Sequence, residues 1–352
     1  MTTAITIGMI IIYVAIMMGI GVYTARQTRS VSDFVLGSHS VGSWLTAFAY
    51  GTSYFSAVVF IGYAGQFGWT YGVSAAWVGV GNALLGSLLA WIVLGRRTRI
   101  MTQSLGAKTM PEYFEKRWNS KGLKIAAALI VFVFLIPYTA SVYNGLSRLF
   151  NMAFQIESEG AYKIIIIVMA LLTAIYVILG GYAATAINDF IQGIVMLIGI
   201  AAVVICAIQN QGGLTSALAA LGEIEVNGKT NTLNSVFGPD PLNLLGVVIL
   251  TSLGTWGLPQ MVHKFYAIKS ENDIKKGAVI STVFALIVAG GSYLLGGFDQ
   301  LFCTLTEDGS GKTVISTLSN GKPDFDAMIP SLLHTALPDI LIGLVVVLVL
   351  SA

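Results

Sequence analysis

Apolar runs of membrane-crossing length recur along this chain, and they leave it few ways to fold. They cover roughly residues 5–24, 44–68, 73–95, 125–150, 162–180, 183–208, 241–266 and 277–299, with a further run starting near 339. A helix rising about 1.5 Å per residue needs about twenty apolar residues to cross a hydrocarbon core about 30 Å thick. In lipid, backbone polar groups must be satisfied internally, so runs of this length predict helices. Charged residues make up only 10% of the 352, where soluble domains carry about a quarter. The sequence therefore reads as an all-α polytopic membrane protein. The first run has no basic start and is too long for the apolar core of a cleavable signal, so it is read as a retained span.

Charge sets the expected orientation. With the N-terminus outside, fourteen of the nineteen lysines and arginines fall in inner loops, Lys264 counted among them. Arg148, Lys163, Lys229, Lys312 and Lys322 fall outside. Such a bias predicts a cell membrane, plasma or inner, with the N-terminus outside. A net charge of +2 argues against nucleic acid as a partner. Cys206, Cys303 and three scattered histidines form neither a disulfide framework nor a zinc set, and no HExxH, GxSxG or P-loop pattern occurs. No enzyme and no cofactor are expected. The outer loops, 209–240 and 300–338, are polar and rich in turn signals. Asp326 to Leu337 is expected to form a short amphipathic helix lying at the surface. The final run, Asp339–Ala352, would reach only about 21 Å as a helix, so the natural sequence is expected to continue.

Two spans are interrupted. In WLTAFAYGTSYFSAVVFIGYAGQFGW (Trp44–Trp69), Gly51, Thr52, Ser53, Tyr54 and Ser56 put a glycine and four hydroxyls near the midplane. In LTSLGTWGLPQMVHKFYAIKS, Gly254, Gly257 and Pro259 break helix geometry beside Thr255, Trp256 and Gln260. Small residues also let helices pack closely, so either break alone is ambiguous. The breaks lie five spans apart, which places them in opposite orientations. Paired breaks in inverted halves are the sequence pattern of a transport site.

Asp189 is the acid lying well inside a span. A carboxylate in lipid needs a cation, hydrogen bonds or water, and is a functional candidate. An interfacial acid capping its helix is the alternative. Asn188 and Gln192 lie nearby. Gly180-Gly181 reads as a tight inner turn. In the fourth span Pro137, Tyr138, Ser141, Tyr143 and Asn144 either line a cavity or make ordinary interhelical bonds.

Four stretches carry a resemblance: DFVLGSHSVGSWLTAFAYGTSYFSAVVFIGYAG (Asp33–Gly65), TMPEYFEKRW (Thr109–Trp118), GGYAATAINDFIQG (Gly180–Gly193) and WGLPQMVHKFYAIKSENDIKKG (Trp256–Gly277). Together they resemble the sodium:solute symporter family, nearest to its proline and pantothenate branches. The resemblance implies an inverted five-helix repeat, the LeuT-like transporter fold, with an extra N-terminal span. It divides one transmembrane domain, 1–352, into a leading span (1–30), a first repeat (44–208) and the start of a second, incomplete one (241–352). It further implies a sodium site at the carbonyls of Thr52, Phe55 and Ala352, with Asp189 assisting coupling. Carbonyl and hydroxyl oxygens suit a hard cation. Tyr54 stands where the proline branch has an acid, and Gln260 where it has a histidine, so the solute stays open.

The expectation is a sodium-coupled symporter importing a small organic solute by alternating access. An amino acid such as proline fits first, then pantothenate or another monocarboxylate. Tyr54, Ser56, Trp256, Pro259 and Gln260 are expected to line the solute cavity, with Tyr143 and Asn144 behind them. No buried lysine or arginine is expected near the breaks, so helix ends, hydroxyls or sodium would meet a carboxylate. An ion channel and a membrane sensor reusing the fold are the rival classes.

Overall fold

A computed structural model describes residues 2–26, 30–37, 41–154, 159–307, 309, 311–318 and 320–350. The first span is α1 (Thr2–Ala25). The short α2 (Val31–Leu36) opens on a reciprocal cap, in which Asp33 N donates to Ser30 Oγ at 3.1 Å and Ser30 N to Asp33 Oδ2 at 2.9 Å. The second span starts as α3 (Ser43–Tyr54) and stops at Phe55 (φ −90°, ψ 107°). It resumes through a π-helical turn, Val58–Tyr63, into α4 (Ala64–Tyr71). Gly72 (φ 62°, ψ −145°) then starts the third span, a conformation that only glycine adopts readily. That span runs through α5 (Ala76–Gly81) and two π-helical turns into α6 (Arg96–Leu105).

On the expected inner side, α7 (Met110–Trp118) is capped by Thr109, and Pro111 sits harmlessly in its first turn. The fourth span is α8 (Lys121–Phe154). The fifth and sixth spans are both within α9 (Glu159–Asn210), joined at Gly181 (φ 59°, ψ −155°). This repeats the backbone geometry of Gly72. A Cβ on Gly181 would lie 2.8 Å from Phe34 O, so the joint is clamped onto α2.

The seventh span consists of α11 (Pro241–Gly254) and α12 (Pro259–Ala267), bent by 53°. The cause is local. Pro259 opens α12 and has no N–H to give, and it pushes Leu258 into extended backbone (φ −68°, ψ 125°). α13 (Glu271–Gly296) follows, capped by Ser270. Beyond it come α14 (Asp299–Phe302), a two-residue parallel strand pair, α15 (Met328–Ala336) and α16 (Asp339–Leu350).

α13 sits at the centre, against α3, α4, α5 and α9. Phe48, Phe190 and Phe284 meet there, with Phe48 centroids 4.9 Å and 5.3 Å from the other two. Gly51 and Gly193 leave room for these rings, since a Cβ on either would come within 2.4 Å of one. By length and apolarity, five helices among the described residues qualify as membrane spans, or six with the bent pair. The expected eight are more numerous because breaks shorten the second span and joints at Gly72 and Gly181 fuse neighbours.

Two outer-side expectations need correction. The loop 209–240 is not merely polar connection. It contains α10 (Leu214–Glu223) and docks on the Gly72 joint, with Val73 N donating to Leu233 O at 2.9 Å. α15 does not lie on a lipid surface either. Its apolar face (Met328, Ile329, Pro330, Leu332, Leu333, Ala336) is buried against protein, including α4, α8 and α9. The amphipathic pattern was correct, but the apolar partner is the helix bundle.

Candidate functional site

The break in the second span frees backbone oxygen. Phe55 N still closes onto Gly51 O at 3.1 Å, but the helix ends there. The carbonyls of the last turn, Thr52 to Phe55, therefore have no i+4 donor. The neighbouring hydroxyls are already engaged. Thr52 Oγ1 donates to Phe48 O at 2.9 Å, and Ser53 Oγ to Ala49 O at 2.7 Å. Thr52 and Phe55 are both buried. The break thus offers freed carbonyl oxygens, beside hydroxyls whose protons are committed but whose lone pairs are not.

A cavity of about 350 Å³ opens beside it. Ser53, Ser56 and Ala57 line it from the break, Tyr143 and Tyr138 from α8, Asp189 and Gln192 from α9, Gln260 from α12, and Val349 and Leu350 from α16. The end of α16 therefore reaches the same space as the broken helix. Gln192 Nε2 donates to Tyr13 OH at 2.6 Å. The Gln260 amide is buried with neither its nitrogen nor its oxygen hydrogen-bonded among the described residues. Buried amides normally find partners, which singles out Gln260 among the residues lining the cavity.

Asp189 has a cation. Lys264 Nζ donates to Asp189 Oδ2 at 3.3 Å and lies 5.3 Å from the centre of the Tyr182 ring. Lys264 is only 7% exposed, which corrects its placement in an inner loop and the expectation of no buried cation near the breaks. The physical reason lies just past α12. Lys269 N donates to Val41 O at 3.1 Å, and Arg99 donates to the carbonyls of Ile268 and Lys269. These bonds hold the end of the span inside the bundle. The signal was present in sequence, because Lys264 falls within the 241–266 run.

The remaining expected residues divide. Ser56, Tyr143, Gln260 and Asp189 line one cavity, with Thr52 and Phe55 at the adjoining break. Pro259 lines a second cavity of about 330 Å³, shared with Gln260, Lys264 and Tyr182. Tyr54 points toward the seventh span and Trp256 toward the third. Tyr54 OH donates to Thr251 O at 3.1 Å, and Trp256 Nε1 to Leu85 O at 3.0 Å. Asn144 Nδ2 donates outward to Asp326 Oδ2 at 3.3 Å. Ala352 lies outside the described residues. Sequence reasoning passed over Asn82, a buried amide whose Oδ1 accepts from Thr251 and Ser252, each at 3.1 Å. It joins the third span to the seventh. Its place mid-span was the available signal.

A helical bundle with two broken spans around a cavity that a few polar groups enter is the architecture of a membrane transporter. The sodium:solute symporter family model matches residues 34–352, and the chain belongs to that family. Sodium/proline symporters of Staphylococcus aureus, strains JH9 and COL among them, are 34% identical to it over 274 residues, 76% of this chain and 51% of theirs. The chain spans about half the length of the curated relatives it matches. Among solved structures it superposes on a substrate-bound outward-open state of a Na+-coupled sialic acid symporter. The TM-score is 0.71 at 15% identity, covering 99% of this chain and 69% of that one. The shared architecture is the LeuT-like fold, as the motifs implied.

Proposed function

We propose that the protein belongs to a sodium-coupled importer of a small organic solute, with proline first and pantothenate or another monocarboxylate next. The observation carrying this reading is the shared cavity, where the second-span break, the Asp189 carboxylate and the buried Gln260 amide meet. Sodium, as cargo, would be held by carbonyls of Thr52 and Phe55, with Asp189 assisting. Ser56, Gln260 and Tyr143 face the space the solute would occupy. The sodium/proline identity of the 34% relatives favours proline. In this reading the N-terminus is outside and residues 44–208 form the first repeat, with 241–352 starting the second. Sodium would enter down its gradient and the membrane potential, worth about 2.3 kcal/mol per charge per 100 mV. Binding at the break would favour the solute-competent state, and linkage requires the solute to raise sodium affinity in return.

The test is uptake of radiolabelled proline into proteoliposomes by the protein made from its complete gene. An inward sodium gradient is compared with equal potassium, and unlabelled pantothenate competes in parallel. Sodium-dependent accumulation above equilibrium is expected. Uptake of either solute that is indifferent to sodium would overturn the coupling, and no uptake of either would overturn the solute assignment.

A further inference from the structure

We infer that Lys264 is a tethered cation that competes with the transported sodium for Asp189 and expels it toward the inner side. The inference rests on the sodium-coupled reading above. Asp189 lines the larger cavity, whereas Lys264 lines the inner one, and Gln260 borders both. The ion pair therefore stands between the two spaces. A purely structural pair would be sealed. Here the Asp189 side chain keeps 20% of its surface accessible. The contact is also single and long at 3.3 Å, where charge-assisted bonds usually measure about 2.7–2.9 Å.

The ammonium has a second home. If Asp189 turns to another cation, Lys264 stays over the Tyr182 ring, 5.3 Å from its centre. His263 does not compete for either, since its Nε2 is occupied by Val35 O at 2.7 Å. A bare carboxylate in a membrane interior is costly, so an empty carrier needs a replacement charge when sodium has gone. Lys264 supplies it. Sodium arriving at the break must displace the ammonium, and the returning ammonium drives sodium out. The two cations select between states of one carboxylate, and each shifts the population against the other.

Binding of radioactive sodium to the purified protein tests this, together with sodium flux in proteoliposomes. Lys264→Gln is expected to lower the half-saturating sodium concentration tenfold or more. It should also slow net sodium-driven transport while sparing sodium–sodium exchange. That split separates competition from structural damage, which would depress binding, net flux and exchange together. Lys264→Arg keeps a fixed charge and should retain wild-type sodium affinity, which covers the case in which the glutamine variant fails to fold. In an Asp189→Asn background, Lys264→Gln should have no further effect on sodium binding. Sodium affinity within twofold of wild type in Lys264→Gln, or tightened in Lys264→Arg, would overturn the inference. If the wild-type protein itself bound no sodium, the coupled reading would fail first and this inference with it.

Discussion

Arg148 Nη1 donates to Asp324 Oδ2 at 2.9 Å, tying the C-terminal part of the fourth span to the segment that leads into α15. One helical turn earlier, Asn144 donates to Asp326 Oδ2. The carboxylate of Asp324 is only 8% exposed, while Arg148 keeps 36%. Removing the guanidinium strands a nearly buried acceptor, at a cost of about 1–3 kcal/mol. Arg148→Gln is expected to lower the thermal midpoint of the detergent-purified protein by several degrees. Exchanging the two, Arg148→Asp with Asp324→Arg, should recover part of the loss. An unchanged midpoint in Arg148→Gln would mean that the pair does not fasten the segment before α15.

Close approach of backbones gives a sharper test of the packing. A Cβ on Gly68 would lie 2.0 Å from the carbonyl carbon of Gly296, and one on Gly296 would lie 2.0 Å from Ala64 O. Backbone cannot move aside as a flexible side chain can. Gly68→Ala and Gly296→Ala are each expected to cost about 1–3 kcal/mol or more through overpacking between α4 and α13. Gly246, mid-helix in α11, has nothing within 4 Å of the same added atom. Gly246→Ala should be neutral or stabilise by up to about 1 kcal/mol. Equal behaviour of the three variants in thermal melts would contradict this account.

The sequence showed where the helices break because the causes are local. Pro259 removes a donor and restricts Leu258, and a cluster of hydroxyls and glycine precedes Phe55. The Gly181 joint was legible for the same reason, while the span count was not, because Gly72 and Gly181 fuse neighbours. Side-chain direction was not. Tyr54 and Ser56 are two residues apart, yet one bonds to Thr251 and the other faces the cavity, because the chain leaves helical geometry between them. Lys264 was assigned by counting charges per loop, and that count is blind to Val41 and Arg99 holding the span end inside. The apolar face of α15 was visible, but its partner was set by the tertiary fold.

Gln260 provides a test specific to the solute. Both polar atoms of its amide are buried, without a hydrogen bond of good geometry among the described residues, and its side chain borders both cavities. Tyr138 on α8 lines the same space and lies close enough to the amide to interact with it. Gln260→Ala removes a ligand for the solute while leaving the second-span carbonyls in place. The half-saturating solute concentration is expected to rise about tenfold, the loss of one hydrogen bond worth about 1.4 kcal/mol. The half-saturating sodium concentration should stay within about twofold in uptake assays at saturating solute. Equal shifts in both would remove Gln260 from the solute contacts.

Asp299 lies just beyond α13, fully buried, and neither carboxylate oxygen has a hydrogen-bond partner among the described residues. Burial pushes its pKa well above the usual carboxylate range, because a charge there would be unsolvated. The folded chain therefore holds a proton that the unfolded chain releases above about pH 4. Where the folded state binds more protons, stability falls as pH rises, so this group costs stability across the window from its unfolded pKa up to its raised folded one. Asp299→Asn keeps the shape and cannot ionise. The variant is expected to melt above wild type at about pH 8, with the difference shrinking toward about pH 4.5. Melting followed by intrinsic fluorescence across that range decides it. A parallel offset at every pH would show that Asp299 is satisfied by a partner and does not titrate with folding.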